Sequence, residues 1–407
     1  MNDDKWPTTT IGQSCTTTSG GTPSKQIEHY WRGDIPWVSA KDLKFDQISS
    51  AALHISRDAL ERSATKLAPV GSLLILVRGM GLANGVPIGE VVAPVAFNQD
   101  LRAIHPPSTL LPRFLMLALR KSLLNGGTKD VLSAAAHGTL KIDADALGRI
   151  AFPVPPLPEQ QRIVAILDEA FEGIATAKAN AEKNLLNARE LFESTVDEAL
   201  SRHGGSYDET TLGAEIDLLA GYAFSSKGYA DSTGGIRLLR GDNIMQGYLR
   251  WDDAKRWPAT DAAAHACFAL QEGDIVLAMD RPWVKAGLKR ARISSEDLPC
   301  LQLQRTARLR PKKRMSVDFL HHLVGSKAFS RHLLSVQTGL GVPHISGKQI
   351  ESFKFMLPPQ SEQESIAHML DGLQQSTERL AEIHQQKLAL LDELKKSLLH
   401  QAFTGAL

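Results

Sequence analysis

Apolar positions along the chain follow two different rhythms. Short runs at 36–39, 73–77, 91–97 and 275–278 are rich in β-branched and leucine side chains and are broken by Gly and Pro, which predicts strands. Single helical stretches are expected near 112–124 and 316–334. Elsewhere the period lengthens. Apolar or small residues recur at Ile163, Leu167, Ala170, Ile174, Ala177, Ala181, Ala188 and Leu191, and again at Ile366, Leu370, Leu373, Thr377, Leu380, His384, Leu391, Leu394 and Leu398. Alternating steps of four and three are heptad seams. Each runs some 35–40 residues, about 50–60 Å of helix. A domain of ordinary size cannot cover a helix that long, so helix-on-helix pairing is expected, and an antiparallel pair would hold two domains apart.

An internal repeat with an offset of about 200 residues organises these elements. Thr9-Thr10-Ile11-Gly12 recurs as Thr210-Thr211-Leu212-Gly213, and the run from Gly71 to Leu76 recurs from Gly273 to Ala278. Phe114-Leu115 matches Phe319-Leu320. Pro155-Pro156-Leu157-Pro158-Glu159-Gln160 matches Pro358-Pro359-Gln360-Ser361-Glu362-Gln363. Four segments follow: an α+β domain at 1–157, a long helix at 158–206, a second α+β domain at 207–357 and a second long helix at 358–407. The proline brake before each helix cannot continue a strand. The expected fold is therefore α+β, two similar domains related by a pseudo-two-fold repeat and separated by a two-helix antiparallel coiled coil.

Net charge is only +1, but its distribution is informative. Segment 1–157 carries 16 basic against 13 acidic residues and 207–357 carries 21 against 16. By contrast, 158–206 has 5 against 9 and 358–407 has 4 against 7. Basic domains joined by acidic helices suit a polyanion on the domains and another partner on the helices. Cys15, Cys267 and Cys300 form no CxxC pair, so neither a disulfide framework nor a zinc site is expected. With neither a membrane-length apolar run nor a secretory layout in MNDDKWPTTT, a cytoplasmic protein without membrane contact is expected.

The sequence carries no recognisable catalytic motif. Gly79-Met80-Gly81 has the wrong spacing for a dinucleotide fingerprint, and the chain contains neither an amino-methyltransferase motif nor a Walker lysine loop. No catalytic residue, bound cofactor or metal is expected.

These features together resemble the specificity subunits, HsdS, of Type I restriction-modification systems. The segment from Gly33 to Leu43 (Gly-Asp-Ile-Pro-Trp-Val-Ser-Ala-Lys-Asp-Leu) is similar to that family's strand motif near the start of a target recognition domain. So is the end of the domain: Gly138-Thr139, then 147–150, then Pro153 to Ile163 opening the helix. Ile236 to Ile244 is a looser version of the strand motif, and Gln360 replaces the usual leucine of the helix start. The resemblance implies a non-catalytic reader of double-stranded DNA with two target recognition domains. It would assemble with two methyltransferase subunits, to which S-adenosylmethionine would belong, and with restriction subunits in the full complex. The target would be two different half-sites with a gap of about 5–8 base pairs, in keeping with reading on one face of the duplex. Two other readings remain open: a coiled-coil assembly scaffold without DNA binding, and a self-contained methyltransferase or nuclease.

Arg78 to Gly85, and Asp280 to Arg290 in the second copy, resemble the family's Arg- and Gly-rich loop. Glycine lets backbone approach closely, while Arg and Lys neutralise phosphate or pair with guanine. The candidate DNA-binding residues are therefore Arg78, Asn84, Arg281, Lys285, Lys289, Arg290 and Arg292, with Lys25, Gln26, Arg32 and Lys227 from neighbouring loops. Between Arg281 and Arg314 stand eleven basic residues and only two acids, so a basic stripe along a strand is expected.

Overall fold

The computed structural model describes residues 6–123, 131–134, 139–201, 207–230, 234–285, 287–338 and 343–407. Gly138 of the first domain-end motif and Ala286 of the second basic loop lie outside them. The chain forms two compact units, 1–181 with 386–407, and 182–385.

In the first unit a five-stranded sheet runs in the order Thr16–Ser19, Leu101–His105, Leu73–Leu76, Ile88–Val91, Gln47–Ile48. A four-stranded sheet runs Leu53–Ile55, Ile35–Val38, Val95–Phe97, Lys66–Ala68, its two middle strands parallel. Every side chain of Leu73–Leu76 is buried, which is why this segment reads as a continuous apolar run and not an alternating one. Phe114 to Leu119 of helix Pro112–Ser122 are buried in the same core. The expected strand at 91–97 is two strands in different sheets. Pro94 lies between them and has no N–H to extend a ladder.

The second unit repeats the plan. Its four-stranded sheet is Ile216–Ala220, Thr306–Pro311, Ile275–Ala278, Arg290–Arg292, and its three-stranded sheet is Arg256–Trp257, Ile236–Leu239, Cys300–Gln302. Again the pair at the heart of the smaller sheet is parallel. Thr10 pairs with Ala151 and Thr211 with Lys354 in matching two-stranded ribbons. Gly71 and Gly273, one repeat apart, both turn the chain into the buried strand at positive φ, +85° and +87°, which only glycine adopts without cost. The helix expected at 316–334 is broken into Val317–Leu323 and Lys327–Val336. Ser326 starts the second piece, its Oγ accepting from the Phe329 N–H.

The long helices are Leu157–Ser201 and Gln360–Thr404. Pro158 sits in the first turn, where its missing N–H leaves no intrahelical bond unmade. Within the first unit, Ile163 and Leu167 share a core with Leu399, Ala402 and Phe403, Lys178 bridges to Asp392 at 2.5 Å, and the Lys395 ammonium lies over the Phe171 ring. Within the second unit, Val196 and Ala199 cluster with Leu370. Early residues of one helix meet late residues of the other in both units, so the pair is antiparallel. The seam differs from the heptad reading at three leucines. Leu191, Leu380 and Leu394 are 64%, 45% and 46% exposed, whereas Phe192 and Ala381, beside the first two, are partly covered. A strict seven-residue repeat drifts against 3.6 residues per turn, which leaves single heptad positions outside the seam.

Candidate nucleic-acid interface

In the second unit a polar cleft of about 700 Å³ is lined by Arg240, Gly241, Asp242, Asp280, Arg281, Leu303, Gln304 and Arg305. Each wall has a local cause. Arg240 to Asn243 form a tight turn because the buried Asn243 side chain accepts from the Arg240 N–H and donates to the Arg250 carbonyl. Opposite, Met279 N–H bonds the Arg305 carbonyl at the end of the paired strands, which brings Asp280 and Arg281 beside Gln304 and Arg305. Arg281 and Arg305 are the positive-φ non-glycine residues among those described, at +45° and +65°. Such conformations cost roughly 1–3 kcal/mol each and cluster at functional sites.

The charges are interlocked. One Arg305 guanidinium nitrogen lies 2.7 Å from Asp280 Oδ2, while His344 Nδ1 bonds Asp280 Oδ1, so both carboxylate oxygens are engaged. Arg305 nevertheless remains 70% exposed. Arg240 bonds Asp242 at 3.1 Å, and Asp242 stays 73% exposed. Lys289 lies beneath, only 7% exposed. Burial lowers its pKa, with Asp242 opposing and Arg281 and Arg250 adding to the effect.

The sequence candidates separate on this geometry. Arg281 and Lys285 are exposed. Lys289 and Arg290 do not form the exposed basic pair expected of them. Arg290 donates inward to the His321 carbonyl at 3.3 Å, its guanidinium packs against Gly325, and burial lowers its pKa to about 10. Arg292 is exposed but paired with Asp318 at 2.5 Å. The expected basic stripe is likewise structural. Arg308 is 5% exposed and pairs with Asp217, Arg310 pairs with the buried Asp274 through two bonds, and Arg314 pairs with Asp208. The sequence cannot show these partners because they come from strands and turns far away along the chain.

In the first unit Arg78 and Asn84 are exposed at either end of a loop that contains the short helix Met80–Asn84. Strand Arg78–Gly79 pairs with Leu140–Ile142, so Lys141 lies opposite Arg78. Lys25, Gln26 and Arg32 are exposed in a separate loop over the smaller sheet, Arg32 bonded to Glu28. Lys227 is exposed in the second unit beside Gly228, which packs on Trp257. Sequence reasoning missed Arg240, Asp242 and Gln304 and counted Arg305 only as one charge in a run. The Arg-Gly-Asp-Asn segment after the strand was the one available signal.

A family model described as the Type I restriction modification DNA specificity domain matches residues 3–187 and 259–390. The EcoAI specificity subunit of Escherichia coli is 40% identical over 190 residues, 45% of this chain and 31% of that protein. The MjaVIII specificity subunit of Methanocaldococcus jannaschii is 24% identical over 99% of this chain and 93% of its own length. Among solved structures, a chain from work on complex assembly and conformational transition of the type I R-M system superposes with a TM-score of 0.78 at 20% identity, covering 99% of this chain and 98% of that one. The alignment with EcoAI therefore spans about a third of that relative, whereas MjaVIII aligns end to end. With the family model matched twice, once on each repeat, the chain belongs to the Type I restriction-modification DNA specificity family.

Proposed function

We propose that the chain is the non-catalytic specificity subunit of a Type I restriction-modification assembly and reads a bipartite site on double-stranded DNA. The observation that carries this is the repeat itself: two units of one fold present different exposed side chains at equivalent loops, on a chain that matches the specificity-domain model in both halves. One half-site falls to each unit. Methyltransferase subunits dock on the long helices and bring S-adenosylmethionine, restriction subunits join for cleavage, and the assembly works in the cytoplasm. Support for docking comes from apolar side chains left outside the helix seam, Leu186, Leu191, Leu380 and Ile383 in the second unit and Leu390 and Leu394 in the first. Acidic helices between basic domains keep DNA off that face.

Duplex binding by the full chain tests the reading. Affinity is expected to fall linearly on a log–log plot against salt, and a randomised duplex pool should yield two short motifs at fixed spacing. Salt-independent association, or a pool that returns no motif, contradicts it.

A further inference from the structure

We propose that the cleft of the second unit reads a G·C base pair through its major-groove edge, with Arg281 and Arg305 donating to guanine and Asp242 accepting from cytosine. The inference rests on the DNA-reading function above and narrows it to one site and one class of base pair.

A phosphate cradle and a base reader differ in their charges. Phosphate needs donors and positive charge, and a carboxylate at its contact surface repels it. This cleft exposes Asp242 alongside its arginines, with Gln304 able to donate and accept. A mixed set of that kind matches the edge of a base pair. Guanine offers O6 and N7 as acceptors, cytosine offers an N4 donor, and the usual partners are a forked guanidinium and an acidic side chain.

Pre-organisation points the same way. Asp280 holds His344 on one oxygen and Arg305 on the other, so it orients the Arg305 fork. One guanidinium nitrogen is anchored, and the side chain lines the cleft and stays 70% exposed. A phosphate contact depends less on such aim, since an ammonium can also serve it as a point charge.

The first unit supplies an internal comparison. Strand registers place Leu76 opposite Leu101 and Ala278 opposite Thr306, so Arg78 corresponds to Asp280 and Asp100 to Arg305. Backbone bonds agree, Val77 N–H reaching the Asp100 carbonyl as Met279 N–H reaches that of Arg305. Acid and base have changed places between the two units. Backbone contacts are the same for every sequence and would keep one sign in both units. Contacts that read different bases are free to exchange it.

The test is selection from a randomised duplex pool by the full chain and by Arg305→Lys, Arg305→Ala and Asp242→Ala. The wild type is expected to enrich two half-sites, one with a fixed G·C column. All three variants should relax that column, with discrimination falling roughly 5- to 150-fold, while the other half-site and the salt slope stay unchanged. Arg305→Lys keeps the charge and loses the fork, so it remains decisive should the alanine variant fail to fold. A salt slope reduced by about one unit with every column intact would make Arg305 a phosphate contact and overturn the inference. So would unchanged columns throughout, or a relaxed column that is A·T in the wild type. A wild-type pool with no motif would instead remove the proposed function and this inference with it.

Discussion

Gln160 and Gln363, one repeat apart and both fully buried, make the same three hydrogen bonds in their separate units. Gln160 Oε1 accepts from the Leu111 N–H, and its Nε2 donates to the carbonyls of Thr109 and Pro155. Gln363 Oε1 accepts from Ser316 N–H while Nε2 donates to Arg314 and Pro358. Each glutamine ties the start of a long helix to the loop before a domain helix, and so sets the direction in which the long helix leaves its domain.

Replacing Gln363 with Ala is therefore expected to leave two carbonyls and an N–H buried without partners. Unsatisfied groups cost about 1–3 kcal/mol each, and partial relaxation should bring the total loss to roughly 3 kcal/mol. Denaturant unfolding of the full chain measures it. The Gln363→Glu variant should be worse near neutral pH, because its carboxylate would face two carbonyl oxygens. A change within about 0.5 kcal/mol for the alanine variant would show that the bonds do not hold the helix.

The second expectation concerns acid. His321 is shifted down to about 3, first by burial and then by the charges of Arg290, His322 and Arg292, and its Nδ1 is buried without a partner. The folded pKa lies below the unfolded value near 6.5, so the unfolded chain binds the extra proton between them. Stability of the second unit should be full above about pH 6.5 and fall as the pH drops toward 3. Burial lowers His322 as well, against its bond to Asp371, and adds a loss of the same sign. His321→Phe should flatten the decline measured by unfolding at stepped pH. Identical wild-type and variant slopes would refute the assignment.

In the first unit the corresponding helix carboxylate is Asp168, which holds Arg113, and Arg113 with Arg120 also holds Asp46. Burial alone would raise the Asp46 pKa, but the bonds and charges of Arg120 and Arg113 outweigh it and bring it to about 2. A depressed carboxylate contributes stability above its unfolded pKa near 3.9 and loses it as pH falls through 2. Acid sensitivity of the two units should thus differ in degree: the first loses some stability where His105, lowered by burial, titrates and more between about pH 4 and 2, and the second loses more from about pH 6.5 down. Hydrogen exchange by mass spectrometry at pH 5 and pH 3 resolves them. Simultaneous loss of protection in both units at pH 5 is the contrary outcome.

The helices give a packing test. Leu167 and Leu370 are fully buried, and truncation of either to Ala should cost about 2–5 kcal/mol. Leu191→Ala and Leu380→Ala should stay within about 0.5 kcal/mol, since both side chains stand outside the seam. Their loss is expected to appear in co-purification with methyltransferase subunits. Full retention of that partner by the double variant would move the docking surface elsewhere.

Much of this architecture is legible along the chain because its causes are local or periodic. The proline brakes, the glycines at 71 and 273 and the heptad rhythm each act within a few residues, and the repeat shows them twice. Ion pairing is not local. Arg308 meets Asp217 and Arg310 meets Asp274 only after strands distant in sequence have been laid side by side, so a run that reads as a basic face is mostly neutralised. The cleft is hidden for the same reason. Its walls come from three stretches around Arg240, Asp280 and Gln304 that only sheet topology brings together.

Two diverged units that read two different DNA sequences would leave that record in methylated DNA. Sequencing the methylated positions in DNA from cells that carry this chain with a methyltransferase partner reads it out. The expected result is a single asymmetric motif, two dissimilar short half-sites at one fixed spacing, of which one half changes when a cleft residue of the second unit is replaced. A palindromic or continuous motif, or methylation that ignores sequence, would contradict it.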